Sequence, residues 1–220
     1  MPVEVMSAEN LGTFQIQGPL LKVAIEDLRP TQMTVGMLEV AEKSAELDKE
    51  PKEKRHEYLD AHPVPVVRGP GGGLYLIDHH HLVRALFDSG FHHAVCAIVA
   101  DLSAATLSEF WTKMERQHWV YPYDAQGKLR GYTALPKTVA GLTDDPYRSL
   151  AGAIRKAGGY RKTTPPFAEF QWANFLRSKI ELGSGRKAIA EAVDAAVVIA
   201  HTDAASKLPG FIAASATKKP

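Results

Sequence analysis

The residues best equipped for chemistry fall within one short stretch, Asp78-His79-His80-His81, with Arg84 one turn further on. A carboxylate, three imidazoles and a guanidinium combine a candidate acid–base set with fixed positive charge. Histidine suits proton transfer because its ordinary pKa lies near neutrality. Leu74-Tyr75-Leu76-Ile77 precedes the stretch and Leu82-Val83-Arg84-Ala85-Leu86 follows it, so the residues read as the junction of a short buried strand with an amphipathic helix. The first amides of a helix lack intrahelical partners and carry the positive end of its dipole, which suits an anion and above all a phosphate.

On a wheel of about 100° per residue, His80, His81, Arg84 and Asp88 gather on one side. Leu82, Val83 and Leu86 gather on the other, with His79 among them. The expectation is that His80, His81 and Arg84 face a ligand or solvent while His79 turns to the core. Asp78 either caps the helix or holds a divalent ion or a substrate hydroxyl. A transition-metal site using His80 or His81 with His62, His92 or His93 is a further reading, although Arg84 occupies the second place of a helical His-x-x-x-His pair. Polar junction histidines without chemistry are another. Lys43 and Arg148 could each reach a phosphate; the plainer readings are a solvated lysine, and an arginine paired with Asp144 or Glu169. Glu39, Glu42 and Asp78 are general-base candidates, and Trp111, Trp119 and Trp172 are expected in the core or an interface.

The elements that must position this junction can be read in order. Residues 1–19, closing with Gly18-Pro19, read as a mobile lead-in or an edge strand, and Leu20–Ile25 alternates as a strand. Asp27–Gln32 reads as a turn around Pro30. A helix is expected over Val35–Asp48 with Val35, Leu38, Ala41 and Ala45 inward and Lys43 off that face, then a charged helix over Pro51–Leu59. His62–Arg68 is extended, and the Gly69–Gly73 turn joins it to the strand Leu74–Ile77 as a hairpin. After Ser89-Gly90 come a strand over His92–Ala100 and a helix capped by Ser103, reaching Gln117, with Leu107, Phe110, Trp111 and Met114 inward. An Asp-Asp-Pro start at Asp144 opens a helix ended by Gly158-Gly159. Another runs from Thr164-Pro165-Pro166 to about Leu182, and an alanine-rich helix covers Ser184–Leu208. The fold class expected is α+β, a small mixed sheet with a helical C-terminal half: a core over 20–135, a helical extension over 136–210 and a tail over 211–220.

Composition narrows the functional classes. With 26 basic and 25 acidic side chains the net charge is +1, so there is no general field for gripping nucleic acid, and DNA is not a favoured partner. The single cysteine, Cys96, excludes an internal disulfide and a multi-cysteine zinc centre, and lies in an apolar run where an inert thiol is expected. No run reaches the length of a membrane span and no signal peptide is visible, so no membrane partner and a cytoplasmic location are expected.

Several separated segments carry a family likeness. Leu28-Arg29-Pro30-Thr31-Gln32, Pro65-Val66-Val67, Asp78-His79-His80-His81-Leu82-Val83-Arg84-Ala85, Asp144–Ala151 and Glu169-Phe170-Gln171-Trp172-Ala173 together resemble the ParB/sulfiredoxin superfamily. The closest likeness is to its ParB-like nuclease branch, over roughly residues 20–180. The resemblance implies a ParB/sulfiredoxin-like N-terminal core that cradles a nucleotide such as ATP, ADP or CTP, usually with Mg²⁺. By position, Arg84 matches the box arginine that meets phosphate, His80 and His81 match its polar neighbours, and Gln32 follows the proline of the first motif. The box arginines of ParB are histidines here, no helix-turn-helix is evident, and the sulfiredoxin cysteine is replaced. Chromosome partitioning and sulfinic acid repair are therefore set aside.

The combined expectation is a protein that binds a nucleotide or phosphorylated small molecule through His79, His80, His81, Arg84, Gln32, Lys43 and Arg148. Asp78, His80 and His81 are the catalytic candidates, and Asp78 is the candidate Mg²⁺ ligand. The chemistry implied is phosphoryl transfer, nucleotide hydrolysis or phosphodiester cleavage. The alternative is a module that binds a nucleotide or anion without turnover, its helical half, the alanine-rich segment above all, offering a homodimer or partner surface.

Overall fold

The β-rich runs of the first half build a five-stranded mixed sheet in the computed structural model, which describes residues 14–183 and 185–214. The strands are β1 (Leu21–Ala24), β2 (Leu28–Pro30), β4 (Val64–Arg68), β5 (Leu74–Leu76) and β6 (His93–Asp101), in the spatial order β1-β6-β4-β5-β2. Two further short strands, β3 (Thr34–Val35) and β7 (Thr143–Asp144), pair with each other. Strand β4 lies parallel to β6 and antiparallel to β5, and its Val64, Val66 and Val67 are fully enclosed, as expected of a strand covered on both faces. The helices are α1 (Met37–Lys49), α2 (Lys52–Ala61), α3 (His80–Asp88), α4 (Leu107–Arg116), α5 (Pro146–Lys156), α6 (Ala168–Arg177) and α7 (Gly185–Ala200). This is the expected α+β class. Most of the lead-in, and the tail from residue 215, lie outside the described residues. Among the described residues, no helix is long and apolar enough to cross a membrane.

The chain divides into two compact units. The first holds the described residues up to Thr34, Val40–Asp124 and Lys128–Thr143; the second holds Val35–Glu39, Ala125–Gly127 and the described residues from Asp144 onward. In the first, Val67, Tyr75, Ile77, Val99, Phe110 and Met114 form a core between sheet and α4. Cys96 is fully buried in β6, and burial pushes its thiol pKa up to about 12, so it is an inert core residue. In the second, α5, α6 and α7 enclose Leu150, Ile154, Trp172 and Leu176. Tyr160 stacks on Trp172 at 4.3 Å between ring centroids and donates to the Ala151 carbonyl at 3.0 Å. Asp145 caps α5 by accepting from the amides of Tyr147 and Arg148, with Pro146 at the first helical position.

Several expectations are corrected. Asp27–Gln32 is not simply a turn, because Leu28–Pro30 adds to the sheet as β2. Pro30 is tolerated there because β2 is an edge strand, bonded only to β5. Helix α4 is capped by Thr106, not Ser103. Thr106 and Glu109 form a reciprocal capping box, which leaves Leu107 at the first helical position and 62% exposed. In α1 the buried positions are Val40 and Leu47, whereas Ala41 and Ala45 are exposed. Lys43 therefore lies near the inward stripe, beside Ser44, which donates to the Ala85 carbonyl of α3. Helix α6 begins only at Ala168, after Phe167 in a left-handed conformation, and ends at Arg177. Helix α7 stops at Ala200 and a 3-10 turn covers Asp203–Ala205.

Candidate functional site

The junction between β5 and α3 owes its shape to one residue. Ile77 continues the strand by donating to the Pro65 carbonyl at 3.1 Å, and Asp78 then accepts its neighbour's amide, from His79, at 2.6 Å. His79 adopts φ 62°, ψ 23°, a left-handed conformation uncommon for a residue with a side chain, and turns the chain sharply into α3. Its carbonyl accepts from Val83 at 2.9 Å and closes the first turn, but no side chain caps the helix. The amides of His80 and Leu82 thus have no partner within the helix.

That turn changes one assignment of the wheel made from sequence, that of His80. His79 is not the first helical residue, and His80 is the imidazole that is buried, at 2% exposure. The Thr31 segment leaving β2 covers it. The Thr31 amide donates to His80 Nε2 at 3.2 Å, while the Thr31 hydroxyl donates to the Leu76 carbonyl at 2.7 Å. Burial, with the neighbouring charges of His81 and His79, pushes the His80 pKa down to about 3 against the opposing effect of the Leu76 carbonyl. The ring is therefore neutral. Because Nε2 accepts, the proton sits on Nδ1, which is buried and has no partner. Thr31 was not among the sequence candidates; its place inside the Pro-Thr-Gln segment was the available signal.

His79 is half-buried and its Nδ1 is also enclosed without a partner. Burial lowers its pKa, His62 and Lys43 lower it further, and Asp78 opposes them. These causes place Lys43 of α1 and His62, at the end of α2, in electrostatic range of the junction. His62 is fixed by Nδ1 at 2.8 Å from the Tyr58 carbonyl and by stacking on the Tyr58 ring at 4.1 Å. His81 is partly exposed, and Asp78 is exposed. Gln32 is 9% exposed and pairs in a parallel bridge with Tyr121, whose amide donates to the Thr31 carbonyl at 2.8 Å.

Arg84 has a different setting. Its Nε donates to Asp88 at 2.9 Å and its Nη1 to the Leu142 carbonyl at 2.5 Å, so the guanidinium ties α3 to the 3-10 turn Val139–Gly141. Arg148 lies on α5 in the second unit. Its Nη1 is 3.4 Å from Glu39 and its guanidinium stands over the Phe170 ring, so its carboxylate partner is neither Asp144 nor Glu169. Glu39, a general-base candidate, is thereby placed in an ion pair.

Among the described residues, no three His, Cys, Asp or Glu side chains converge as a metal-binding group. Among the described residues of the junction, Asp78 supplies the carboxylate. One carboxylate fits Mg²⁺, which keeps waters and takes most of its ligands from substrate phosphates, better than it fits a metal caged by protein.

Comparison with known proteins accords with this architecture. The chain matches the family described as "Putative ParB-like nuclease" over residues 21–178. Its structure is similar to the crystal structure of protein Atu1540 from Agrobacterium tumefaciens, with a TM-score of 0.81 and 42% sequence identity, covering 89% of this chain and 97% of that one. A search of curated proteins gave no match. The uncapped, histidine-opened helix thus sits in a recognised sheet-and-helix frame, and the chain belongs to the ParB-like nuclease family.

Proposed function

We propose that the N-terminus of α3 binds the phosphate arm of a nucleotide or phosphorylated small molecule and supports phosphoryl-group chemistry on it, by transfer, hydrolysis or phosphodiester cleavage. The observation that carries this reading is the buried His80 ring: its Nε2 accepts from the Thr31 amide, and its Nδ1, left to carry the proton, has no hydrogen-bond partner among the described residues. A buried donor without an acceptor costs about 1–3 kcal/mol, and a phosphate oxygen over the open helix end supplies that acceptor. The amides of His80 and Leu82 add donors to the same end, and Lys43 and His79 lie within electrostatic range of each other beside it.

The side chains then divide the work. His80 is held neutral and acts as a fixed donor to phosphate, not as an acid–base group. His81, partly exposed on the same turn, is the acid–base candidate, and Lys43 offsets phosphate charge. Asp78 offers one carboxylate to a Mg²⁺ carried with the phosphates, where the ion would neutralise charge on phosphate oxygens. Arg84 positions the helix through Asp88 and Leu142 instead of gripping the ligand. A second reading, binding without turnover, is favoured by the same two facts: His80 cannot take a proton at neutral pH, and the Arg84 guanidinium is already engaged.

Calorimetric titration with ATP, ADP and CTP, with and without Mg²⁺, followed by product analysis, tests both readings. The proposal expects binding that weakens about tenfold or more in His80→Phe, which keeps the ring but removes the donor, together with slow product formation. Binding without product selects the second reading. No binding by any of the three nucleotides rejects both.

A further inference from the structure

We infer that the first unit has a second ligand site, for a small organic anion, in the cleft between α2 and the start of β6. The cleft, open to solvent on one side, has a volume of about 420 Å³ and lies beyond the C-terminal end of α3, whereas the phosphate site proposed above lies at its N-terminus. Nine helical residues separate the two by about 13 Å. A volume of this size holds a molecule somewhat larger than a phosphate ion.

The lining has two chemistries. Phe91, Leu59 and Val95 supply an apolar wall, and Lys22, Arg55 and His93 supply cationic or hydrogen-bonding heads. Arg55 is fixed in advance: its Nε donates to the Glu50 carbonyl at 2.8 Å and its Nη2 to the Asp48 carbonyl at 3.0 Å, with the guanidinium over the Phe91 ring. A guanidinium held this way loses little freedom on meeting a carboxylate or phosphate. Lys22 and His93 reach the same face through strand pairing. Lys22 stands opposite Val95 on the neighbouring strand, and Val95 is two residues from His93 on the same side of β6. Ser89 also lines the cleft, and its buried hydroxyl oxygen has no partner.

Two features oppose an anion, and both are offset. Asp60 is an acidic lining residue, but Lys22 and Arg55 outnumber it. The C-terminal end of α3 would repel negative charge, yet its last carbonyls are covered: Ser89, Phe91 and Gly90 donate to Ala85, Leu86 and Phe87 at 2.9, 2.9 and 3.0 Å. These bonds also consume the amides of Ser89, Gly90 and Phe91, so the side chains supply the selectivity at this end. The ligand class is accordingly a carboxylate or phosphate monoester carrying an apolar or aromatic body.

Residue-resolved NMR titration of the full chain with phenyl phosphate, benzoate and inorganic phosphate tests this site separately from the α3 N-terminus. The expected result is shifts in the amides of Ser89–Val95 and of Arg55–Asp60 with phenyl phosphate or benzoate. The affinity should fall at least about fivefold in Lys22→Met/His93→Gln and return in part in Lys22→Arg/His93→Gln, the size of a part-exposed charge contact. A double variant whose spectrum is preserved away from the cleft serves as its own folding control. No shift in these amides up to about 10 mM of either aromatic probe overturns the proposal. So do shifts that persist unchanged in the double variant, or inorganic phosphate binding as tightly as phenyl phosphate. Shifts confined to His80–Leu82 support the phosphate site alone and reject this one.

Discussion

At the scale of single residues, His80 carries a consequence for stability as well as for binding. Its folded-state pKa is about 3 against an ordinary value of 6.5, so between those limits the unfolded chain holds a proton that the folded chain does not. Stability contributed by burying the neutral ring is fully present above about pH 6.5 and is lost as pH falls toward 3, by up to about 1.4 kcal/mol per pH unit. His79, also lowered, acts in the same direction. Urea unfolding at pH 7 and pH 5 should show wild-type stability dropping on acidification, and His80→Gln should flatten that slope while keeping an acceptor for the Thr31 amide. An unchanged slope in the variant would mean that His80 does not titrate as a buried neutral ring. His79 permits a cleaner separation of backbone from chemistry. His79→Asn tolerates the left-handed conformation and should unfold within about 1 kcal/mol of wild type, whereas His79→Val, branched at Cβ, should lose about 1–3 kcal/mol. Sequence periodicity put His80 on the exposed side of the helix, whereas it is buried, while His79, expected toward the core, is half-buried with its Nδ1 enclosed. A wheel assumes helical dihedrals from its first residue, and the left-handed turn at His79 is a tertiary outcome that spacing does not encode.

At the scale of elements, the strongest local signals lay where capping chemistry and the fold agree. Asp145-Pro146 opened α5 as expected because one carboxylate satisfies two free amides and proline needs none. The cap of α4 was misread because Ser103 and Thr106 are both competent capping residues, and only Thr106 has a glutamate three positions on. Thr106→Ala should cost about 1 kcal/mol in chemical denaturation and Ser103→Ala only a few tenths, a direct check on which residue ends the loop. Strand β2 was missed because a proline-containing segment of three residues has almost no periodicity, and its pairing with β5 is what makes it a strand. The contact between α1 and α5 in the second unit makes a sharper case. A Cβ at Gly152 would meet the Glu39 carboxylate, which is paired to Arg148. Gly→Ala inside an exposed helix gains up to about 1 kcal/mol, but Gly152→Ala should lose about 2 kcal/mol or more, because Glu39 must leave a buried arginine. Glu39→Ala in the same background removes the clash and should recover less than the full loss, since Arg148 stays unpaired. A thermal-melt comparison of the two variants with wild type measures this directly.

At the scale of the whole molecule, charge separates the reactions that the family name and the site each suggest. Binding a duplex nonspecifically releases counterions in proportion to the phosphates neutralised, giving a log–log salt slope of about −0.9 per contact. A chain with 26 basic and 25 acidic side chains has no net field to recruit such a partner, whereas a compact anion needs only the local donors at the α3 N-terminus. Nucleotide affinity should therefore survive a rise from about 50 to 200 mM salt with a loss of only a few fold, and duplex DNA should bind weakly, with a slope shallower than about −3. Fluorescence anisotropy with labelled ATP and a labelled duplex across that range distinguishes the cases. A duplex slope of about −6 or steeper would show a basic track of at least six phosphate contacts assembled from surface lysines and arginines. It would make phosphodiester cleavage the favoured chemistry of this site. A shallow slope with retained ATP binding instead makes the family's nuclease label a statement about ancestry, and the histidine-opened helix a site for small phosphorylated molecules.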